Sequence, residues 1–545
     1  MRNFLLCVVS FALLLNQGCK KNTSAVAVSS STVAKYSLNK EAGPKGKVLS
    51  VGPNVTFGTY EIMSVTSGQT AEIADLSLAN GGNVDLSAYN EAAHQQWRVI
   101  NVTDGYFKIM NLGSGKFLQA VKVDNGYQLQ QQSDDSNDDQ IWQISSTGEN
   151  SYRAINKACG LSPTVDQTTG LITLETYAEK SSQMWSVIKI PDMAYRDDAV
   201  VNFFHRTSGS VAFDQGNSIP LADGRTLWVA EDTYSDRLLN QVGLFNCNQI
   251  FDIHNSMLLQ PANHSWDNKL TNNLITTASP YKYEVVPSPG EHNSSYSWPG
   301  VGVELNGHVY MYCFEATVGG SSTTALYDFT ETAGNNWPNP VRTTPAGMNG
   351  PITYTEGMMR PGDGYVYTYG SIGVFVVKYL FVARFAETDP QTWTFWNGKS
   401  WQSTPTTATE AKITTATTDY VMANTAISYV NGKYVMMQMD IGYFCNPSQH
   451  NIYVSTSNTP FGPFTAPKKV FTIEDRINGY VAKYYTPAIH PQFNNGLGEL
   501  LLTYCLNYNG SGSPCSTNVC TNNGYMDPNF YQVKGVRVPY SLIGL

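Results

Sequence analysis

Five carboxylates stand beside strand-forming segments in the C-terminal part of the chain: Asp214, Asp232, Glu315, Glu356 and Asp440. Asp214 precedes and Asp232 follows a pair of apolar runs joined by a tight turn, so both fall at the hairpin end away from that turn. The other three hold comparable places, and we expect all five on one rim. Burial and mutual repulsion push the pKa values of such acids apart. Glycoside hydrolysis needs one protonated and one ionised carboxyl group; a bound Ca²⁺ or simple solvation are the other uses of such a ring.

Tight turns position these acids. They recur between apolar, β-branched and aromatic runs, at Asp223-Gly224, Asn306-Gly307, Asp363-Gly364, Asn431-Gly432 and the looser Asn494-Asn495-Gly496. Their glycines are 83, 57, 68 and 64 residues apart, a period that suits four-stranded blades. Residues 194–545 are therefore predicted to form a five-bladed β-propeller whose hairpins bring the acids around the central axis. A run of separate β-sandwiches is the alternative.

One phrase of the chain resembles a known group of proteins. Residues 214–234 read Asp-Gln-Gly-Asn-Ser-Ile-Pro-Leu-Ala-Asp-Gly-Arg-Thr-Leu-Trp-Val-Ala-Glu-Asp-Thr-Tyr. This is similar to the opening of bacterial propellers of unknown function whose members include D-arabinan-cleaving glycoside hydrolases, and residues 485–491 (Tyr-Thr-Pro-Ala-Ile-His-Pro) agree as well. The layout also resembles the arabinanase and levanase clan. The resemblance covers nearly all of residues 194–545, although Glu231 stands where the group usually has Gly.

The resemblance implies roles for individual residues. Asp214 and Asp232 match the paired acids of the group, and Asp214 fits the general base of the arabinanase clan. Glu315 or Glu356 would be the general acid, with little to choose between them. Inversion at a furanoside bond, for example in an arabinan, needs carboxyl groups roughly 6.5–9.5 Å apart. Four further residues are predicted to bind substrate or tune a carboxylate, although a single histidine is more often structural: His254, Asn255, His490 and Trp298.

A second repeat precedes the turns. Three tripeptides share a Gln-x-Trp pattern, and their tryptophans Trp97, Trp142 and Trp185 are 45 and 43 residues apart. Three equal β units that cannot bury their faces alone must share one core. Residues 51–191 resemble the ricin-type β-trefoil of R-type lectins and trefoil carbohydrate-binding modules, in which the tryptophan is core and its glutamine holds a turn.

The same resemblance implies one sugar pocket per unit, built from an acid, an aromatic ring and an amide. The first unit offers all three, with Gln95 beside them: Glu72, Tyr89, Asn90 and Gln95. A ring stacks on the apolar face of a sugar while a carboxylate accepts hydrogen bonds from hydroxyl groups. The second unit has Gln119 and Asp134, and the third has Tyr177 without an acid. A trefoil decayed into a spacer is the alternative.

The N-terminus resembles a targeting signal. Arg2 precedes an apolar run from Phe4 to Leu15 that is too short to span a bilayer, and Gly18-Cys19 follows, as in a bacterial lipobox. Residues 1–19 are predicted to be a lipoprotein signal, Cys19 the lipidated residue and residues 20–50 a flexible tether to the cell-envelope membrane. Secretion without a lipid is the alternative. Two later cysteines, Cys515 and Cys520, are close enough to pair.

The amino-acid composition narrows the range of possible functions. Only 14% of the 545 residues are charged, Gly (45) and Tyr (33) are abundant, and the net charge is −9. These values favour an all-β fold and argue against a nucleic-acid partner, which needs clustered cations. No zinc spacing or phosphate-binding loop is present, so we expect no cofactor apart from an optional structural Ca²⁺. The hypothesis is a tethered glycoside hydrolase with a glycan-binding trefoil; a non-catalytic glycan receptor is the main alternative, with a lyase or transferase behind it.

Overall fold

The computed structural model describes residues 54–545 except 104, 248, 250, 276–280, 293, 321, 333–336, 338–339, 375, 443–449, 478–479 and 509–523. The predicted signal, Cys19, the tether and the Cys515–Cys520 pair lie outside the described residues. Within them, no helix combines the length and apolar character that crossing a bilayer requires. Among the described cysteines, Cys159, Cys313 and Cys505 are free thiols and Cys247 is disulfide-bonded.

The N-terminal domain is a β-trefoil of twelve strands, four per repeat. The strands are β1 (Gly58–Ser64), β2 (Thr70–Ile73), β3 (Val84–Ser87), β4 (Gln96–Thr103), β5 (Tyr106–Asn111), β6 (Phe117–Val123), β7 (Gly126–Gln132), β8 (Trp142–Gly148), β9 (Ser151–Asn156), β10 (Leu161–Val165), β11 (Ile172–Thr176) and β12 (Trp185–Ile190). Six of them, β1, β4, β5, β8, β9 and β12, pair in a closed antiparallel ring. The other six form three hairpins.

The three predicted tryptophans hold this ring together. Trp97, Trp142 and Trp185 are buried in one shared core. Each indole nitrogen donates to a backbone carbonyl of its own repeat, at 2.9, 2.9 and 3.2 Å. A short 3₁₀ turn precedes each tryptophan and carries the glutamine of the tripeptide. The trefoil expectation is confirmed.

The rest of the chain forms five blades around an axis. A short strand β13 (Tyr195–Arg196) and helix α1 (Asp198–Phe204) come first. Blade 1 contains β14 (Ser210–Pro220), β15 (Thr226–Ser235), β17 (Ile253–Gln260) and β18 (Asn272–Asn273); blade 2 contains β19 (Ser295–Leu305), β20 (His308–Thr317), β21 (Thr323–Thr330) and β22 (Val341–Thr343). Blade 3 contains β23 (Thr353–Met359), β24 (Tyr365–Val374), β25 (Val377–Ala386), β26 (Asp389–Trp396) and β27 (Trp401–Gln402); blade 4 contains β29 (Asn424–Val430), β30 (Lys433–Met439), β31 (Asn451–Ser457) and β32 (Lys468–Thr472).

Blade 5 is built from both ends of the propeller. It contains β35 (Lys483–His490), β36 (Glu499–Asn507) and β38 (Val533–Pro539), and β13 is its outermost strand, with Tyr195 opposite Arg537. The remaining short elements are β16 (Phe245–Asn246), β28 (Val421–Met422), β33 (Arg476–Ile477), β34 (Tyr480–Val481), β37 (Tyr525–Met526) and helix α2 (Tyr540–Ile543).

Five inner strands, β14, β19, β23, β29 and β35, contact one another in a closed ring. Each predicted turn joins an inner strand to the second strand of its blade. Two of the turns place Asn306 and Asn431 at positive φ before a glycine, a conformation that asparagine and glycine tolerate best. The five-bladed propeller is confirmed, and the closed ring excludes a row of separate sandwiches.

Buried charges join the trefoil to blade 5. Arg98 of β4 forms an ion pair with Glu499 of β36, and both side chains are almost completely buried. Tyr195 also donates to Glu499, at 2.8 Å. Lys116 pairs with Asp198 at 2.7 Å. Because the two ion pairs, Arg98–Glu499 and Lys116–Asp198, each have one partner on either side of the domain junction, the trefoil is held against the propeller by specific contacts.

Candidate functional site

A cavity of about 410 Å³ lies at the end of the blade 1 hairpin away from its turn. It is lined by side chains from blades 1, 2 and 5 and from the loops beside them: Asp214, Glu231, Asp232, Phe251, Trp298, Lys483, Tyr485, Thr486, Asn507, Tyr508 and Tyr531. Three of these are acids, and aromatic rings form much of the remaining wall. We call it the acid cavity.

An irregular hairpin brings the three acids together. Successive residues of a regular strand point to opposite faces, so Glu231 and Asp232 of β15 should diverge. The register between β14 and β15 shifts around Asp214, which is paired with Glu231, and Asp232 has a positive φ of 26°. A β-bulge of this kind re-aims a side chain. Glu231 and Asp232 therefore line the same cavity as Asp214.

Asp214 is the more enclosed of the two predicted acids that line the cavity. Its side chain is buried, and its Oδ2 accepts a 2.5 Å hydrogen bond from the Tyr485 hydroxyl. Its Oδ1 is buried without a hydrogen-bond partner among the described residues. Burial, and then the charge of Asp232, raise the pKa of Asp214 to about 7, against the opposing hydrogen bonds from Tyr485 and Tyr531. Asp214 therefore holds a proton at mildly acidic pH.

Asp232 has a different environment. Its Oδ1 accepts a 2.8 Å hydrogen bond from the indole nitrogen of Trp298 and lies 3.4 Å from Nδ1 of His254. Its side chain is also more exposed than that of Asp214. The two acids thus line one cavity in different environments, Asp214 enclosed and Asp232 bonded by ring nitrogens.

Two further charged groups belong to the site. Burial, with the charges of Asp214 and Asp232, raises the pKa of Glu231 well above its usual value. With the amide of Gln215 oriented to satisfy its neighbours, Gln215 Nε2 donates to Glu231 Oε1 at 2.8 Å. Burial lowers the pKa of Lys483 to about 8, although Asp214 opposes the shift. The cavity therefore contains two acids and a lysine whose pKa values are shifted by burial.

The expected convergence of all the acids is wrong for the later blades. Glu315 receives two hydrogen bonds from Arg342, at 2.7 and 2.6 Å, and burial is outweighed by these bonds, so its pKa is lowered. Glu356 accepts from Ser371 and from Lys378, both at 2.8 Å. Neither lines the acid cavity. Both are bonded by partners within their own blades.

Asp440 also stays within its blade: its Oδ2 accepts from the backbone and side-chain amides of Asn451, each at 2.9 Å. Glu356 borders a separate cavity of about 500 Å³ at the turn end of the central channel. Two hydrogen bonds from its own blade hold it there. The rule that strand ends share a rim therefore fails for Glu356, which borders a cavity at the opposite end of the channel.

The predicted substrate-binding residues divide in two. Trp298 and His254 bond Asp232 and belong to the site. His490 is buried, lies 2.6 Å from Ser218 Oγ and 2.7 Å from Thr503 Oγ1, and burial lowers its pKa to about 3. It is a neutral structural histidine, and its assignment to substrate is corrected here.

Asn255 is likewise structural. Its side chain is completely buried, its Oδ1 accepts from the backbone amides of Val285 and Val286, and its Nδ2 donates to Ser297 Oγ at 3.0 Å. These bonds leave no group to contact a substrate. Asn255 instead fixes the loop before β19 against blade 1.

Sequence reasoning missed several wall residues: Lys483, Tyr485, Asn507, Tyr508 and Tyr531. Tyr485 lies in a phrase that supported the family resemblance, so its position was a usable signal. In the sequence, Glu231 was noted only because the similar propellers usually have Gly at this position. The others lie in or beside the strands of blade 5, distant in sequence from Asp214, and no local pattern marks them.

The first trefoil unit contains the predicted sugar pocket residues. Glu72 Oε2 accepts from Ser87 Oγ and Gln95 Nε2, at 2.5 and 2.8 Å, and lies 3.3 Å from Nε2 of His94. Tyr89 is half-buried and Asn90 is exposed. Gln95 is fully buried, so its assignment to sugar contact is corrected: it holds Glu72 and the loop of Asn90 in place.

The other units repeat this scaffold with different chemistry. Gln140 Nε2 donates to Gln119 at 2.9 Å, and Gln183 Nε2 donates to Thr164 at 3.0 Å, as Gln95 does to Glu72. The position of the acid is therefore occupied by an amide and a hydroxyl in units two and three. The charged acceptor at this position is confined to unit one.

Fold and site define a β-trefoil joined to a five-bladed propeller that encloses an acidic, aromatic cavity. The family model described as "Domain of unknown function (DUF5005)" matches residues 197–536, and the chain belongs to this family. A model described as "Ricin-type beta-trefoil lectin domain-like" matches residues 48–122 and 93–170, so the N-terminal domain is lectin-like. No curated protein matches the chain.

Solved structures resemble parts of the molecule. A protein from Bacteroides ovatus ATCC 8483 described as a "putative hydrolase" is 18% identical, with 63% of this chain and 90% of its own covered and a TM-score of 0.50, a likeness of fold. The designed three-fold symmetric protein ThreeFoil is 24% identical over 24% of this chain and 99% of its own, with a TM-score of 0.24. An exo-β-1,3-galactanase from Clostridium thermocellum is 26% identical over 26% and 31%, with a TM-score of 0.23.

Proposed function

We propose that the protein is a glycoside hydrolase acting on a polysaccharide, with arabinan-type furanosides as the first substrates to test. The observation that carries the proposal is the pair Asp214 and Asp232 in one cavity, one buried with a pKa near 7 and the other bonded by indole and imidazole nitrogens. Two carboxyl groups held in different environments of one cavity suit the acid and base of glycoside hydrolysis.

In the proposed reaction, Asp214 gives its proton to the glycosidic oxygen as the bond from that oxygen to the anomeric carbon breaks. A water molecule attacks the anomeric carbon, and Asp232 accepts the proton that this water loses. Solvent then returns both acids to their starting states. This assignment reverses the expectation that Asp214 is the general base, because an enclosed carboxyl group with an unpartnered oxygen and a raised pKa is suited to donate a proton.

The trefoil has a supporting role in the proposal. A lectin-like domain that binds the polymer raises the concentration of linkages near the acid cavity without adding a contact to the reacting bond. Glu72, Tyr89 and Asn90 are the residues proposed to contact the glycan. Cys19 is proposed to carry a lipid that holds the protein at the bacterial cell envelope, which detergent partitioning of wild type and Cys19→Ala would test.

The test is release of reducing sugar from a panel of arabinans and arabinogalactans by wild type and Asp214→Asn. Product from wild type and none from the folded variant would support hydrolysis. Glycan binding by wild type without product would contradict it and favour the second candidate, a non-catalytic glycan receptor. That candidate is favoured by the lectin-like trefoil, which needs no chemistry to function.

A further inference from the structure

A second cavity of about 580 Å³ adjoins the acid cavity between blades 1 and 2. Its wall is dominated by rings from the loops before β17 and β19 and from the first residues of those strands. We call it the aromatic groove and define it by Phe251, His254, Tyr281, His292 and Tyr296. Nothing in the proposed reaction uses this space.

Three contacts make the groove continuous with the acid cavity. Phe251 lines both cavities. His254 of the groove lies 3.4 Å from Asp232 Oδ1. The Tyr296 ring of the groove and the Trp298 ring of the acid cavity have centroids 4.9 Å apart. Each cavity falls within the range of about 300–1,000 Å³ typical of a small-molecule site, so together they have room for more than one sugar.

The rings form a row that leads away from the acids. Tyr296 is stacked on His254 with centroids 4.7 Å apart, His254 lies 5.7 Å from His292, and His292 is stacked on Tyr281 at 3.6 Å. His254, Tyr281 and Tyr296 are half-buried and His292 is exposed, so part of each ring remains open to the groove. Partly exposed rings offer apolar faces at little entropic cost, and the C–H faces of sugars stack on them.

Hydrogen bonds hold this row rigid. Glu284 accepts from the backbone amide of His254 at 3.2 Å and lies 2.6 Å from Nε2 of His292. Asn255 fixes Val285 and Val286, which follow Glu284 in the same loop. A buried acid and a buried amide thus position the rings before any ligand arrives, which lowers the cost of binding.

We infer that the aromatic groove binds the sugar units next to the linkage that is cleaved. The inference rests on the proposed function and narrows its substrate class to chains of several neutral sugars. A single terminal sugar would fill the acid cavity and leave the row of rings unused. Affinity should therefore rise with chain length until the groove is filled.

The experiment measures binding in the full-length Asp214→Asn protein by calorimetry, with arabino- and galacto-oligosaccharides from disaccharide to hexasaccharide. Tyr281→Ala is compared with Tyr281→Phe, which keeps the ring, and with Tyr420→Ala, whose ring is 43% exposed and lies outside both cavities. Melting temperatures show that each variant is folded. The trefoil is identical in all of them, so its binding cancels in the comparison.

We expect Tyr281→Ala to weaken binding of the longest oligosaccharides about tenfold and to flatten the rise of affinity with length, since the loss of one stacked ring is worth roughly a factor of ten. Tyr281→Phe and Tyr420→Ala should match the parent. Equal affinities for Tyr281→Ala and Tyr420→Ala, affinity independent of length, or no binding to any oligosaccharide would overturn the inference. Because no turnover is measured, failure of the hydrolase proposal in the reducing-sugar assay is a separate result.

Discussion

The trefoil and the acid cavity were built in opposite ways. In the trefoil, one set of contacts occurs three times: a tryptophan nitrogen on a backbone carbonyl, and a glutamine amide on the pocket residue. In the propeller, the turns recur but the catalytic candidates cluster at the hairpin of blade 1. Repeated contacts stabilise each fold, whereas the candidate site residues occur in one unit of each repeat.

Within each region, one unit differs from the units equivalent to it. Glu72 is replaced by Gln119 and Thr164 at equivalent places, so one trefoil unit keeps the charge. Register shifts occur in the inner hairpins of four blades, but among the described second strands β15 carries a non-glycine residue, Asp232, at positive φ, which turns it into the cavity. Four predictions test this difference between the two regions.

The largest effect is expected at the irregular hairpin. Asp214→Asn should lower kcat about 10³-fold, because a positioned proton donor contributes roughly 10²–10⁴-fold. Glu315→Gln is the matched control, since Glu315 is bonded to Arg342 outside the cavity. Reducing-sugar assays on both folded proteins give the comparison. Equal losses would mean that the acids of later blades take part after all.

The next effect concerns the junction of the two regions. Arg98→Met should lower the free energy of unfolding by about 3 kcal/mol, because it leaves the buried Glu499 without its cation. The control is Lys157→Met in the exposed pair with Asp138, where the change should stay within about 0.5 kcal/mol. Chemical denaturation measures both. A loss no larger than that of the control would show that the domains are joined by packing alone.

The third prediction is a pH dependence. Burial and Asp232 raise the pKa of Asp214 to about 7, so a proton-donating Asp214 is active below that pH. The value of kcat/KM should fall about tenfold per pH unit above pH 7. A profile of kcat/KM against pH decides the sign: a rise through pH 7 would restore Asp214 to the role of general base.

The smallest effect is expected in the trefoil. Glu72→Ala combined with Tyr89→Ala should weaken retention on immobilised glycan about tenfold, because a charged acceptor and a stacking ring are lost together. Gln119→Ala combined with Asp134→Ala alters the second unit and should have little effect. If both double variants behave alike, the trefoil does not use unit one to bind sugar.

The sequence was most informative where local rules govern structure. Trp97 and its two equivalents predicted the trefoil because each repeat obeys the same spacing, and Gly224 with the later glycines predicted the blades because tight turns need them. The hairpin rule and a family resemblance together led to Asp214, Asp232 and His254, which lie in or beside the acid cavity.

The rest depended on long-range geometry. Lys483 and Tyr485 reach Asp214 from about 270 residues away, once the ring closes. The bulge that turns Asp232 into the same cavity as Asp214 and Glu231 has no signature in a single sequence, because its cause is the register with neighbouring strands. His490 and Asn255 are of residue types that often bind substrates, but both side chains are buried and make structural hydrogen bonds.

The position of strand β13 in the sequence constrains when blade 5 can fold during synthesis. Tyr195 and Arg196 leave the ribosome more than 300 residues before their partners Arg537 and Val536. The trefoil ring closes within its own sequence, so that domain can fold while the chain is still growing, but the fifth blade must wait until those partners are made. A nascent chain that stalls before Val536 would therefore expose an incomplete ring of strands to chaperones and proteases.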